Sequence, residues 1–244
     1  MAGEFNRRVT GGQAVRDVMQ SIGLTAPPTI YDSNDKTAKQ MWRLATEIGQ
    51  QLIDQYDWQA LGKEFTITTD GVTLDYDLPV DFNNFISDSE WNRTTRLPMI
   101  GSLQQFEWQM LQARSLGGTT VALMYIIDDE QVRFYSVGTT AQTLVLPYSS
   151  RGWVVEADGV TKRDNLHADD DVILYDPQMF KAALKVAWFS SRGFDTSAVT
   201  AEYNRCYQAA VAKDAPGRSL TLNRNGINSN LLGVLNIPDT NYGS

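Results

Sequence analysis

The chain has 244 residues, 42% hydrophobic and 20% charged, with 29 Asp and Glu against 21 Lys and Arg. That length allows one large domain or a core carrying a substantial insertion, and a net charge of −8 with a pI near 4.7 argues against wrapping around nucleic acid, whose phosphates need clustered cations. The one cysteine, Cys206, excludes an internal disulfide, and no stretch approaches the roughly 18 apolar residues of a membrane span or the apolar core of a signal peptide, so a protein soluble where it is made, with no membrane partner, is expected.

Residues 10–23 read as a first short helix, because Val15, Val18, Met19 and Ile22 share a face and Gly23 is placed to stop it. Ala26-Pro27-Pro28 forces an extended link. Asp32-Ser33-Asn34-Asp35 offers caps for a long amphipathic helix over 36–58, whose Met41, Leu44, Ala45, Ile48, Leu52 and Tyr56 step by three or four. Its stripe needs a partner, and comparable helical patterns return only beyond Asp176.

After Trp58 the period changes to two. Residues 64–69 alternate around Phe65 and Ile67, Asp70-Gly71 marks a turn, and Leu74, Tyr76 and Leu78 continue the alternation until Pro79, which reads as a hairpin. Residues 82–91 mix aromatics with acids in no assignable pattern. Ser102-Leu103-Gln104-Gln105 is a capping-box pattern that opens a short helix with the stripe Phe106, Met110 and Leu111, ahead of Gly117-Gly118. Residues 119–127 and 131–137 flank Asp128-Asp129-Glu130 as a second hairpin, and 143–148 with 152–156 add strands.

Asp176-Pro177 supplies the N-cap and first-turn proline of a helix lined by Phe180, Ala183, Leu184, Ala187 and Trp188 and broken at Gly193. A second helix over 197–214 carries Val199, Tyr203, Cys206, Tyr207 and Ala210 at helical spacing, and the pair is the natural partner of the opening helix. From 215 onward the composition turns to Gly, Ser, Asn and Pro, with only Arg218, Arg224 and Asp239 charged, while Leu220, Leu222, Ile227, Leu231, Leu232, Val234, Leu235 and Ile237 want burial. Such a segment is either flexible or ordered by a partner, and a groove of the domain itself could bury the same residues. The expected fold class is α+β: a discontinuous α-helical bundle (1–61 and 176–214), a β-rich insertion (62–175) and an extended C-terminal arm (215–244).

No assembled catalytic chemistry is visible. His167 is the only histidine, which rules out histidine-rich metal sites by count. His167-Ala168-Asp169-Asp170-Asp171 lacks the spaced oxygen ligands of a calcium loop and reads as an acidic turn before a strand over 172–175. Asp88, Glu90 and Glu107 lie near Trp91 and Trp108 and could line a sugar groove, since glycoside hydrolysis needs only two placed carboxylates; aromatics in a strand-rich layer are more often core. There is no phosphate-binding glycine loop, dinucleotide fingerprint, nucleophile elbow or paired-cysteine motif. Trp91-Asn92-Arg93-Thr94-Thr95-Arg96 carries two cations and reads either as a phosphate contact or as a loop that pairs with an acidic surface. No catalytic residue, metal or cofactor is expected.

Gln55-Tyr56-Asp57-Trp58-Gln59 leads into Glu64-Phe65-Thr66-Ile67-Thr68-Thr69, followed by Tyr76-Asp77-Leu78-Pro79-Val80-Asp81-Phe82 and by Trp91-Asn92-Arg93-Thr94-Thr95-Arg96-Leu97-Pro98. Ile100-Gly101-Ser102-Leu103-Gln104-Gln105-Phe106-Glu107-Trp108 and the closing helical pair over 176–217 complete the series. In their order and spacing these segments, spanning roughly 10–224, resemble the head-to-tail adaptor (connector) proteins of short-tailed bacteriophages. The chain departs from that pattern around 139–142 and in its Asn-rich end.

The resemblance implies a homo-oligomeric ring, commonly of twelve subunits, at the head–tail junction of a virion after synthesis in the bacterial cytoplasm. Such a ring docks beneath the portal protein, extends the DNA channel and presents a surface to the tail nozzle protein, while an acidic lumen lets DNA pass without specific binding. The C-terminal arm, with Leu220, Leu222, Asn223, Arg224, Leu231, Leu232, Val234, Leu235 and Ile237, would reach the portal. The polar helix face of Arg43, Glu47, Gln50 and Asp54 becomes the candidate subunit contact, and Trp91, Asn92, Arg93 and Arg96 the candidate contact to tail or neighbour. The alternatives are a tail-associated peptidoglycan-degrading enzyme using Glu90 and Glu107, and a DNA-packaging factor, which the net charge counts against.

Overall fold

Strand β1 (Val9–Thr10) runs directly into helix α1 (Gly11–Ser21), and helix α2 (Lys36–Ile53) follows. The structure, a computed structural model, describes residues 8–114 and 123–214. A middle section holds β2 (Gly62–Thr68), β3 (Asp75–Asp77), β4 (Phe82–Phe85), β5 (Trp91–Asn92), β6 (Leu97–Pro98), helix α3 (Gln105–Arg114), β7 (Tyr125–Asp128), β8 (Gln131–Phe134) and β9 (Thr143–Ser150). The chain then passes through β10 (Val154–Val155), β11 (Lys162–Arg163) and β12 (Val172–Ile173) to α4 (Pro177–Ser191) and α5 (Ser197–Asp214). The fold is thus mixed α/β, with five helices and three antiparallel sheets among the described residues. None of these helices is long and apolar enough to cross a membrane.

Local chemistry sets the helix ends. The Thr10 hydroxyl accepts from Gln13 N at the start of α1, the Asp35 carboxylate accepts from Thr37 N and Ala38 N at α2, and Asp176 does the same for Gln178 N and Met179 N at α4. These side chains satisfy amides that have no partner inside the first turn. Gly23 stops α1 with φ +78° and donates to Gln20 O. Helix α2 ends at Ile53, five residues before its expected end, because the Trp58 indole turns back and donates to Leu52 O at 2.8 Å. The ring thereby takes a carbonyl that the next turn would have used.

The expected hairpin over 64–78 does not form. β2 pairs along its whole length with β9, from Gly62↔Ser149 to Thr68↔Thr143, whereas β3 pairs with β8 in a different sheet. Asp70 does turn the chain: its carboxylate accepts from Val72 N, Thr73 N and the Thr73 hydroxyl. The Thr73 and Val72 amides, with that hydroxyl, hold its carboxyl down to about 2. The turn redirects the strand between sheets and does not fold it back on itself. The second expected hairpin is present as β7 and β8, joined by Asp129 and Glu130, both at positive φ (48° and 62°), as a two-residue hairpin turn requires.

Helix α3 begins after Gln104, whose N–H donates to Glu107 Oε2 at 3.0 Å, so the capping pair sits two residues later than expected. Its buried side is Trp108 and Leu111, with Trp108 edge-on to Tyr135 at 5.9 Å and the Tyr135 hydroxyl donating to Leu111 O. The anticipated stripe is corrected accordingly: Phe106 is 77% exposed.

Two apolar cores result. One gathers Val15 and Met19 of α1, Met41, Ile48 and Leu52 of α2, Phe180 and Leu184 of α4 and Ala210 of α5. Trp153, Val154, Leu166, Ile173 and Tyr175 belong to this same core. The expected strand-rich region 62–175 therefore divides, because β10, β12 and their flanks place bulky side chains among the helices. β1, β12, β10 and β11 form one sheet in that order. The other core, with Ile67, Phe85, Tyr125, Phe134, Leu144 and Leu146, lies within 62–150 and is organised by β9, which has β2 on one side and β4 and β5 on the other.

Candidate functional site

The carboxylates that suggested glycan chemistry are all locally engaged or on turns. Glu90 is buried and accepts the Tyr125 hydroxyl at 2.7 Å and Ser89 N at 3.1 Å. Burial first, and then Glu90, pushes the Tyr125 hydroxyl far above the ordinary tyrosine value. The pair ties the turn before β5 to β7, with Phe85 edge-on to Tyr125 at 5.7 Å. Glu107 caps its own helix, Asp88 occupies an exposed turn at φ 60°, and Trp108 is core.

The acidic run before β12 is a clasp. The Asp169 carboxylate accepts from Ile30 N at 2.8 Å and Tyr31 N at 2.9 Å, and its carbonyl accepts from Gly12 N. The Asp171 carboxylate, buried, accepts from His167 N and Ala168 N at 2.6 and 2.8 Å, and its carbonyl accepts from Gly11 N. A Cβ on Gly12 would lie 2.8 Å from the Asp169 side chain, which explains a glycine at the first turn of α1. Both carboxylates are thus committed to backbone amides. Among the described residues, no group of three or more His, Cys, Asp or Glu side chains is placed to hold a metal.

Of the candidate contact residues on α2, Arg43 and Glu47 form an i,i+4 ion pair at 3.4 Å with 84% and 52% of their side chains exposed. Gln50 reaches Asp164 O at 3.4 Å, and Asp54 accepts from Asn83 Nδ2 at 3.2 Å. Arg43 and Glu47 therefore stand clear of the fold, while Gln50 and Asp54 also brace α2 against the strands. Trp91 and Asn92 form β5 and pair with both β6 and β9. Asn92 is corrected as a contact residue: it is 2% exposed, its amide donates to Gln142 Oε1 at 2.6 Å, and its Oδ1 accepts from Thr94 N and Thr95 N. Its role is to shape the β5–β6 turn. Arg93, exposed and 3.4 Å from Glu64, and Arg96, at φ 58°, are presented on that turn. The arm residues from Leu220 to Ile237 lie outside the described residues.

A feature that the sequence did not reveal is a cleft of about 430 Å³ between α2, α4 and α5. Leu44 and Ile48 of α2 and Ala183, Val186 and Ala187 of α4 supply its apolar wall, and Tyr203 of α5 closes one side. The Tyr203 and Tyr207 hydroxyls donate to Gln55 Oε1 and Gln55 O at 2.8 and 3.1 Å, and Asp214 accepts from Gln59 N at 2.9 Å. These bonds pin α5 across the end of α2 and leave the cleft open beside it. The signal was there in α4, where Val186 and Ala187 carry the apolar arc past the width of a single buried stripe.

A polar cluster lies at the foot of β9. Asp81 accepts from Lys63 Nζ at 2.5 Å, the Tyr148 hydroxyl at 3.0 Å and the Ser150 hydroxyl at 2.6 Å. Burial pushes the Asp81 carboxyl up, and the three donors outweigh it, so the group stays below its ordinary value.

Set against models of known protein families and against curated proteins, the chain matches none of them.

Proposed function

We propose that the chain is a structural head-to-tail adaptor of a bacteriophage virion: one subunit of a closed ring that docks on the portal, extends the DNA channel and offers a surface to the tail nozzle. In this reading its body is a discontinuous helical bundle, the strand-rich part loops out of it, and residues 215–244 serve as the portal-binding arm. The support is the division of the cores: helices from both ends of the chain share one apolar core, while residues 62–150 close another. Such a layout frees the helical layer to contact a neighbour and the looped-out part to contact a different protein.

Ring closure is heterologous, each subunit presenting unlike patches to its two neighbours. The exposed Arg43–Glu47 edge of α2 supplies one patch, and the Arg93 and Arg96 turn supplies the contact to nozzle or neighbour. The arm orders on the portal and contributes affinity at the cost of its ordering entropy. The −8 charge keeps DNA from adhering as it passes.

The test is electron microscopy of the purified chain mixed with portal rings, using the parent, a deletion of 219–244, and the double reversal Arg43→Glu with Glu47→Arg. The parent is expected to decorate portals as rings, the deletion to stay folded but fail to join, and the reversal to alter assembly at unchanged Tm. Undecorated portals with the parent, or full decoration by the deletion, would sink the proposal.

A further inference from the structure

The cleft beside α2 is an apolar surface that the described fold leaves uncovered. Leu44, Val186 and Ala187 are only partly buried there, although Ile48 and Ala183 beside them are core. Its rim is uncharged apart from Glu47: Gln51 and Gln55 stand on the α2 side, Ser190 and Ser191 on the α4 side. Gln55 and Ser191 are bonded within the fold, to Tyr203 and Trp188 O. The Gln51 amide on one rim and the Ser190 hydroxyl on the other suit an occupant with unpaired backbone groups, and an aliphatic floor suits branched side chains.

We infer that the occupant is the chain's own segment 231–237, Leu231-Leu232-Gly233-Val234-Leu235-Asn236-Ile237, which carries five aliphatic side chains and no charge. Reach and place both fit. Helix α5 ends at Asp214, anchored to Gln59 N, and Gln55, which borders the cleft, is held by Tyr203 and Tyr207 of the same helix. From Asp214 back to Tyr203 is about 16 Å along α5 at 1.5 Å per residue. The 16 residues between Asp214 and the segment's first leucine let the chain span at most about 60 Å when extended. The cleft edge from Leu44 on α2 to Gln55 just past the helix end is about 16 Å long, which five extended residues fill at about 3.3 Å each.

The tether also decides between the chain's own cleft and that of another copy. A tether of this length holds the segment at an effective concentration near the millimolar range. At micromolar protein the intramolecular site is therefore filled first. As the arm's role in assembly rests on the adaptor proposal, the cleft would be where the free subunit keeps that arm until a docking surface competes for it; the docking itself does not depend on that proposal.

Hydrogen exchange read by mass spectrometry on the full chain at micromolar concentration tests this. Amides of 231–237 are expected to exchange at least about tenfold more slowly than an unprotected peptide. Ala187→Glu, which puts a carboxylate on the cleft floor, is expected to remove that protection while the β2 and β9 amides keep theirs. A second variant leaves the cleft untouched: Leu232→Asp with Leu235→Asp should vacate it, so that a fluorescent peptide of sequence 229–239 binds this variant saturably and does not bind the parent. Unprotected 231–237 amides in the parent, protection that survives Ala187→Glu, equal peptide binding by the parent, or protection that rises with protein concentration would each overturn the inference. A protected segment in a chain that never joins portals would sink the adaptor proposal alone.

Discussion

Gly49 faces the core from the middle of α2, and replacing it with alanine sets two effects of opposite sign against each other. Alanine within a helix gains about 1 kcal/mol over glycine. Its Cβ, however, would lie 2.1, 2.3 and 2.4 Å from three atoms of the Trp153 indole, where carbon contacts normally settle near 3.5–4.0 Å. The ring has no room to retreat. It is fully buried, its Nε1 donates to Asp164 O at 2.7 Å, and it stacks on Tyr175 with centroids 5.7 Å apart. Phe180 packs on its flank at 5.9 Å, and the Tyr175 hydroxyl donates to Gly49 O at 2.9 Å. Overpacking of a filled core costs roughly 1–3 kcal/mol and occasionally more, and an overlap of more than an ångström on an anchored ring belongs at the upper end. Gly49→Ala is therefore expected to lose about 2 kcal/mol net, lowering Tm by roughly 4–8 °C in a domain of this size. Urea unfolding followed by circular dichroism reads the first quantity and a thermal scan the second. In a Trp153→Leu background the clash is relieved, and the same Gly49→Ala change should become neutral or stabilising. If Gly49→Ala raised Tm with Trp153 in place, α2 would not press on the segment after β9, and the shared helical core would be wrong.

Glu90→Ala strands the Tyr125 hydroxyl in the strand core and is expected to lose about 1–3 kcal/mol, with Glu90→Gln losing less because it keeps an acceptor; denaturant midpoints equal to the parent's would refute a structural role for this acid. Asp81 and Asp176 both hold carboxyls below the ordinary value, since donors outweigh the burial that pushes each up: Lys63, Ser150 and Tyr148 around Asp81, and Lys213 with the Met179 and Gln178 amides around Asp176. A depressed folded value stabilises the native state above the unfolded carboxyl value of about 4 and is lost as pH falls through the lower folded value. Tm should accordingly hold steady above about pH 5 and drop toward pH 2–3, and Asp81→Asn should flatten part of that drop; a parallel profile in the variant would rule Asp81 out as a contributor.

What was legible in the sequence was local. The α2 stripe, the Asp35 and Asp176 caps, the Gly23 and Gly193 stops and the Asp129-Glu130 turn each depend on residues within a few positions. What was not legible depended on distant partners. Asp70-Gly71 is a turn, but nothing near it says that β2 will choose β9, some 80 residues away, over the alternating stretch that follows. The division of 62–175 was hidden for the same reason: Val154 and Ile173 read as strand in either core, and only Trp153 packing on Gly49 and Phe180 decides which. Among the candidate contact residues, Arg43 and Glu47 are as open as helical spacing implied. Asn92 was misjudged because a polar residue in a turn-rich stretch looks solvated until its carbonyl oxygen is seen capping two amides.

The clasp made by Asp169 and Asp171 also sets an order of events during synthesis. Ile30 and its acceptor on Asp169 are 139 positions apart, which at about 5–20 residues per second is roughly 7–30 s of translation. By the end of that interval α1 and α2 have been made, with their apolar stripes and no α4 to receive them, and β2 through β9 are complete and can close their own core. The strand core therefore matures on a chain whose first 60 residues are still without their partner, and the nascent protein is most exposed to wrong association just before its last two helices emerge.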